Sequence, residues 1–149
     1  MPPTPRPHGI EFQDIDTISA PLCELHAILL DAGALATWNP AFSEVYHQGK
    51  AEVGKPIAIR VLRALSGELT YDLVEPNRIN MTITVPGLTE RNTWSLANQP
   101  GRTTQVTHAF SRSGRLARIL ESRTQGIAQL RIDRLRERVQ LLDSKSDSP

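Results

Sequence analysis

The stretch Ser113–Leu142, SGRLARILESRTQGIAQLRIDRLRERVQLL, decides the fold. It predicts one long helix that arrives after a run of strands, and a helix of that length in 149 residues has to be gripped by a sheet. At about 100° per residue, Leu116, Ile119, Leu120, Ile127 and Leu130 fall in one stripe, with Arg123 in its middle. Such an arginine is a polar intrusion into a core or into a cavity. Beyond Leu130 the apolar positions become Ile132, Leu135, Val139 and Leu142, about 100° away from the first stripe. This second face covers the N-terminal strand and sheet edge, the favoured reading, or it meets the same helix of a second subunit in a homodimer.

Working back from the helix, residues 43 to 111 alternate between strand patterns and turn chemistry, as an antiparallel meander does. Six strands are expected: Ser43–His47, Pro56–Arg63, Glu68–Glu75, Arg78–Val85, Leu88–Ala97 and Thr103–Ser111. Turns fall at Gly49 with Gly54, Ser66-Gly67, Pro76-Asn77, Pro86-Gly87 and Asn98–Gly101. Before them, Glu11–Ser19 reads as a strand with Phe12, Ile15 and Ile18, its imperfect alternation predicting a bulge near Asp14–Asp16. Ala20-Pro21 opens a short helix with a Leu22, Leu25, Ile28, Leu29 stripe, closed by Gly33. A second helical piece, Ala34–Trp38, stops at Asn39-Pro40 because a residue before proline is pushed out of the helical region.

Alternation also assigns faces. Ile57, Ile59 and Val61 point inward, as do Leu69, Tyr71 and Leu73, and Ile79, Met81, Ile83 and Val85. The next two strands mix polarity on that face: Glu90 and Asn92 share the phase of Leu88, Trp94 and Leu96, and His108 shares that of Val106 and Phe110.

Composition narrows the function. Hydrophobic residues make up 39% and charged residues 22%, and no apolar run approaches the ~18 residues of a membrane span, so a soluble protein without membrane insertion is expected. The opening Met-Pro-Pro-Thr-Pro-Arg-Pro lacks the apolar stretch of a secretory signal and reads as a disordered arm over residues 1–9, which makes the cytoplasm the expected location. One domain over residues 10–143 and a disordered tail over 144–149 complete the layout. The lone Cys23 excludes an intramolecular disulfide and reads as a small core residue on a helix. A net charge of +1 gives no field for nucleic acid, and the seven arginines between Arg115 and Arg138 read as a solvated helix face. His8, His26, His47 and His108 lack ligand spacing, and neither a phosphate loop nor a nucleophile elbow is present, so no metal and no cofactor are expected.

Ordered motifs then carry a resemblance: Ile18-Ser19-Ala20-Pro21, Trp38-Asn39-Pro40, Pro76-Asn77-Arg78-Ile79, Trp94-Ser95-Leu96, and Thr107-His108 ahead of Gly114. Over about residues 10 to 142 the chain resembles the SRPBCC superfamily, which includes START domains and birch-pollen-allergen-like proteins, and within it the polyketide cyclase/dehydratase and lipid-transport family. The resemblance implies an α+β helix-grip fold: a seven-stranded curved antiparallel sheet wrapped around the long C-terminal helix, with two short helices after strand one. It also implies an internal cavity for a lipid, steroid or polyketide-like ligand. Fold alone does not select among its carriers, sensors and enzymes.

Glu90, His108 and Arg123 are the candidates for chemistry, since an acid, an imidazole and a cation facing one cavity could polarise a carbonyl or move a proton. Buried pairing of Glu90 with Arg123, His108 beside them, is favoured over catalysis because unpaired buried charges cost several kcal/mol. The expected ligand contacts are Trp38 and Phe42 at an entrance, Tyr71, Met81, Asn92, Trp94, Phe110 and Ile127 along the walls, and the same three polar groups. Binding, carriage or sensing of a small apolar ligand is the first expectation. The alternatives are a cyclase or dehydratase with His108 or Glu90 as general base, and a protein-interaction module with a filled core.

Overall fold

Alternating side chains along the longer strands put a largely apolar face on the sheet, and that face curls over the C-terminal helix. The computed structural model describes residues 10–146 of the chain. The elements run β1 (Ile10–Ile18), α1 (Leu22–Leu30), a 3-10 turn (Ala32–Ala34), α2 (Leu35–Trp38), β2 (Glu44–Val45), β3 (Ile57–Val61), β4 (Leu65–Glu75), β5 (Arg78–Val85), β6 (Leu88–Gln99) and β7 (Thr103–Ser113). Three helical pieces follow: α3 (Arg115–Ile119), α4 (Glu121–Thr124) and α5 (Ile127–Ser146). The sheet is antiparallel throughout, in the order β1-β7-β6-β5-β4-β3-β2, so β1 closes the far edge against the last strand. This is the expected α+β architecture.

The inward phases hold except at Leu73, where the irregularity after Tyr71 sets Leu73 opposite Asn80 and brings Val74, opposite Ile79, against the core instead. Ile57, Ile59, Val61, Leu69, Tyr71, Ile79, Met81, Ile83, Val85, Trp94, Leu96 and Val106 are all buried. Tyr71 sits directly opposite Met81 and donates its hydroxyl to the Leu29 carbonyl at 2.7 Å, which locks α1 onto the middle of the sheet. Burial of each such side chain stabilises by about 1.5–3 kcal/mol, so this layer dominates the core.

Several local expectations are corrected. The bulge in β1 is absent: its pairing with β7 runs unbroken from Ile10↔Arg112 to Ile18↔Thr104, and the irregularity lies instead in β4, between Tyr71 and Leu73. The imperfect alternation in β1 has another cause. Asp14 and Asp16 take inward positions and Ile15 lies 52% exposed, because Asp16 is the anchor for α5, accepting from Arg136 at 2.7 Å and Gln129 at 3.0 Å. Ser66-Gly67 is not the β3–β4 turn; the chain reverses at residues 62–64, and Gly67 lies within β4 opposite Ile59, where the Thr84 carbonyl leaves no room for a Cβ. Cys23 is exposed on the outer side of α1, since Leu25, Ile28 and Leu29 occupy the buried stripe.

The largest correction concerns the helix itself. It is broken at Leu120 and again at Gln125-Gly126, where Gln125 is extended (ψ 131°) and Gly126 is left-handed (φ +86°), a conformation that glycine adopts without steric cost. The break resets the wheel. The buried stripe of α5 is Ala128, Arg131, Ile132, Leu135 and Val139, whereas Ile119 and Leu130 are 70% and 40% exposed. Ile132, Leu135 and Val139 are thus covered within the chain, with Leu142 packed against the same core, in line with the favoured intramolecular reading of this stripe. The α5 helix continues through Ser146, past the expected domain end at 143; the arm over 1–9 and residues 147–149 lie outside the described residues. No helix of the described residues is long and apolar enough to cross a membrane.

Candidate functional site

Strand register assembles the polar part of the core. In the β6–β7 pair, Glu90 lies opposite Arg112, Asn92 opposite Phe110 and Trp94 opposite His108, so one inward face carries an acid, an amide, two aromatic rings, an imidazole and a guanidinium in two adjacent columns. Arg131 enters this face from α5. Its two terminal nitrogens donate to the two Glu90 oxygens at 2.9 and 3.0 Å, a bidentate fork at 2% exposure of the arginine. Arg112 donates its Nε to Glu90 Oε1 at 3.0 Å and a terminal nitrogen to the Thr124 hydroxyl at 3.1 Å, tying β7 to α4. Asn92 adds a fourth donor to Glu90, at 3.1 Å.

Aromatic rings hold the same cluster from the side. Arg131 lies over the Phe110 ring at 4.6 Å and Arg112 at 5.2 Å, and Phe12 stacks on Phe110 from β1 with centroids 5.3 Å apart. His108 stacks on Trp94 at 3.8 Å, and Trp38 meets Trp94 edge-on at 6.0 Å. Arg131 can only donate, so His108 Nε2, 3.2 Å away, accepts, and its Nδ1 carries the hydrogen directed at the Thr93 carbonyl at 3.2 Å. Burial first, then the Arg131 charge, push His108 down to about 3, which keeps it neutral. Burial would raise Glu90, but the charges and hydrogen bonds of Arg131 and Arg112 outweigh it and hold the carboxyl well below its ordinary value.

Beside this cluster a cavity of about 290 Å³ opens between the sheet and the broken helical segment. Val61, Leu62, Ile83 and Leu88 form its sheet side, Leu120, Ile127 and Leu130 its helix side, and Pro40 and Ala41 one end. Its charged lining is Glu90, Arg112, Arg123 and Arg131.

Of the residues expected at the site, Glu90, Arg123 and Ile127 line this cavity. The remainder do not. Tyr71, Met81, Asn92, Trp94, His108 and Phe110 are at most 5% exposed and lie in the core, outside the lining of the cavity. Trp38 and Phe42, also buried, border a separate shallow groove with Arg134, Glu137 and Arg138 of α5, and only their loop neighbours Pro40 and Ala41 reach the cavity. Arg123 does not pair with Glu90 or His108, because the Gly126 break turns it outward; Arg131 makes both contacts instead.

Two important residues escaped the sequence reading, and both left a signal. Arg131 is the polar member of the 128, 131, 132, 135, 139 stripe, which is visible once the helix starts at Ile127. Arg112 continues the Val106, His108, Phe110 phase by one step, beyond the point where the strand was expected to end.

Among the described residues no group of three or more potential ligands could hold a metal ion. No protein-family model matches the chain, and no curated protein matches its sequence. Solved structures do share its architecture. The Zhui aromatase/cyclase from a Streptomyces species aligns with TM-score 0.70 at 14% identity, covering 89% of this chain and 94% of that one. A START superfamily protein from Mycobacterium smegmatis aligns at 0.65 and 15% identity, covering 89% and 98%. Norcoclaurine synthase from Thalictrum flavum, solved with dopamine and hydroxybenzaldehyde, aligns at 0.66 and 12% identity, covering 88% and 86%. At these identities the likeness is one of architecture, and with the topology above it establishes that the chain has the helix-grip fold of START and birch-pollen-allergen type.

Proposed function

We propose that this protein binds a small apolar molecule in the cavity between its sheet and the α3–α5 segment, as a carrier or sensor. The observation that carries the reading is the cavity itself: about 290 Å³, lined by aliphatic side chains together with Glu90, Arg112, Arg123 and Arg131. That volume lies at the small end of the range for small-molecule sites, about 300–1,000 Å³. It favours a compact ligand over a whole phospholipid. An interaction module with a filled core has less support for the same reason.

Catalysis by a general base at His108 or Glu90 also has little support. His108 is fully buried behind Arg131 with both ring nitrogens engaged, and Glu90 already accepts four hydrogen bonds. A base must reach the proton that it removes. The aromatase/cyclase and synthase that share the fold are therefore precedents for a ligand cavity here rather than for a reaction.

Fluorescence titration with the neutral apolar dye N-phenyl-1-naphthylamine tests this reading. Saturable binding of about one dye per chain, abolished in an Ile127→Trp variant that fills the cavity and still unfolds cooperatively, is the expected result. Absence of saturable binding to the folded wild type, or equal binding by the variant, would overturn it.

A further inference from the structure

The charges around the cavity do not balance. One carboxylate, Glu90, lines it with three guanidiniums, those of Arg112, Arg123 and Arg131, an excess of two positive charges. Glu90 has no capacity left to offset more: Oε1 accepts from Arg112 and Arg131, and Oε2 from Arg131 and Asn92. Arg131 gives both terminal nitrogens to Glu90 and His108, and only its buried Nε has no partner among the described residues. Arg112 is different, since its Nε and one terminal nitrogen are engaged and its other terminal nitrogen has no protein acceptor among the described residues. Arg123 has no side-chain hydrogen bond or ion pair to the described residues, although it lies on the cavity wall next to Thr124, the residue that Arg112 holds. Arg112, its side chain 11% exposed, keeps one donor unused, and Arg123, exposed and unpaired, borders the same cavity, so the two together set the charge of what should sit between them.

From this arrangement we infer that the ligand is an apolar molecule ending in a carboxylate, its tail among Ile83, Leu88, Ile127 and Leu130 and its anion between Arg112 and Arg123. The inference rests on the cavity reading above and adds the ligand's chemical class. A guanidinium presents a flat fork that matches a carboxylate, so two of them in the lining of an aliphatic cavity select a planar anion over an alcohol or an amine. Division of labour among the arginines follows. Arg131 keeps Glu90 satisfied and the helix seated, Arg112 bridges the buried cluster to the cavity, and Arg123 is the contact that can change without disturbing the fold.

A matched pair of probes isolates the anion. Isothermal titration of the full chain with octanoate and with octanol, at low salt and neutral pH, should give binding of both, octanoate tighter by about tenfold or more. Arg123→Gln should fold as the wild type does, keep its affinity for octanol, and lose most of the preference for octanoate. Equal affinities for the two probes in the wild type would overturn the inference while leaving the cavity reading intact, as would an undiminished preference in Arg123→Gln. Binding of neither probe would overturn both.

Discussion

Arg123 and Arg131 lie two helical turns apart in sequence and have opposite fates. Arg131 is 2% exposed, fixed by a bidentate contact to Glu90, a contact to His108 and the face of Phe110; Arg123 is exposed, unpaired by side chains of the described residues, and borders the cavity. The difference comes from the backbone between them. At Gly126 the chain leaves the helical region, so the 115–124 pieces lie over the cavity as a half-exposed cover while α5 is seated in the core. The comparison teaches that a buried arginine in this fold is structural when the sheet supplies its counter-charge. One that the sheet leaves unmatched is available to a ligand.

The most severe way to break the comparison is Arg131→Ala. It leaves Glu90 and His108 buried without their main partner, and should cost about 3–5 kcal/mol in urea unfolding, enough to leave the chain marginal. A loss below about 1 kcal/mol would mean that Arg131 does not hold the core. Next in size is a pH effect. The unfolded chain takes up a proton at His108 below pH 6.5, its ordinary value, whereas the folded chain refuses it until about pH 3, so stability must fall as pH drops through that window. The slope approaches about 1.4 kcal/mol per pH unit. Glu90, held below its ordinary 4.5, adds a second loss of the same sign at lower pH, and His108→Asn should flatten the stability profile between pH 6.5 and 4.5 alone.

Gly126→Ala sharpens the contrast through its sign. A Cβ at Gly126 meets nothing within 4 Å, so the cost is conformational only, about 1–2 kcal/mol for placing an alanine in the left-handed region. Were the helix continuous, the same change would stabilise by about 1 kcal/mol, and thermal unfolding distinguishes the two. The smallest effect belongs to Arg123→Ala, within about 0.5 kcal/mol of wild type, because it removes no contact from the core.

The strand region was largely legible because alternation has a period of two and each inward phase is tested several times along a strand; Ile79, Met81, Ile83 and Val85 left no doubt about their face. The presence of Glu90, Asn92 and His108 on the core side was legible for the same reason. The partner of Glu90 was not. A wheel carried through Gly126 accumulates the wrong phase, and one glycine inside an otherwise helical pattern does not announce that it is left-handed. In β1, Asp14 and Asp16 looked like a disruption of pattern, although Asp16 is in register and salt-bridged to Arg136. Polar residues in a core phase were thus visible from sequence, but their pairing depends on register and helix phase between distant segments.

The central claim is that the space under the α3–α5 segment takes an apolar guest. Methyl NMR during an octanoate titration tests it most directly, with Val61, Ile83, Leu88, Leu120, Ile127 and Leu130 as cavity reporters and Leu25, Leu29 and Ile59 as core controls. Saturable shifts confined to the cavity methyls are the predicted result. Core and cavity methyls that move together, or none that move at all, would contradict it.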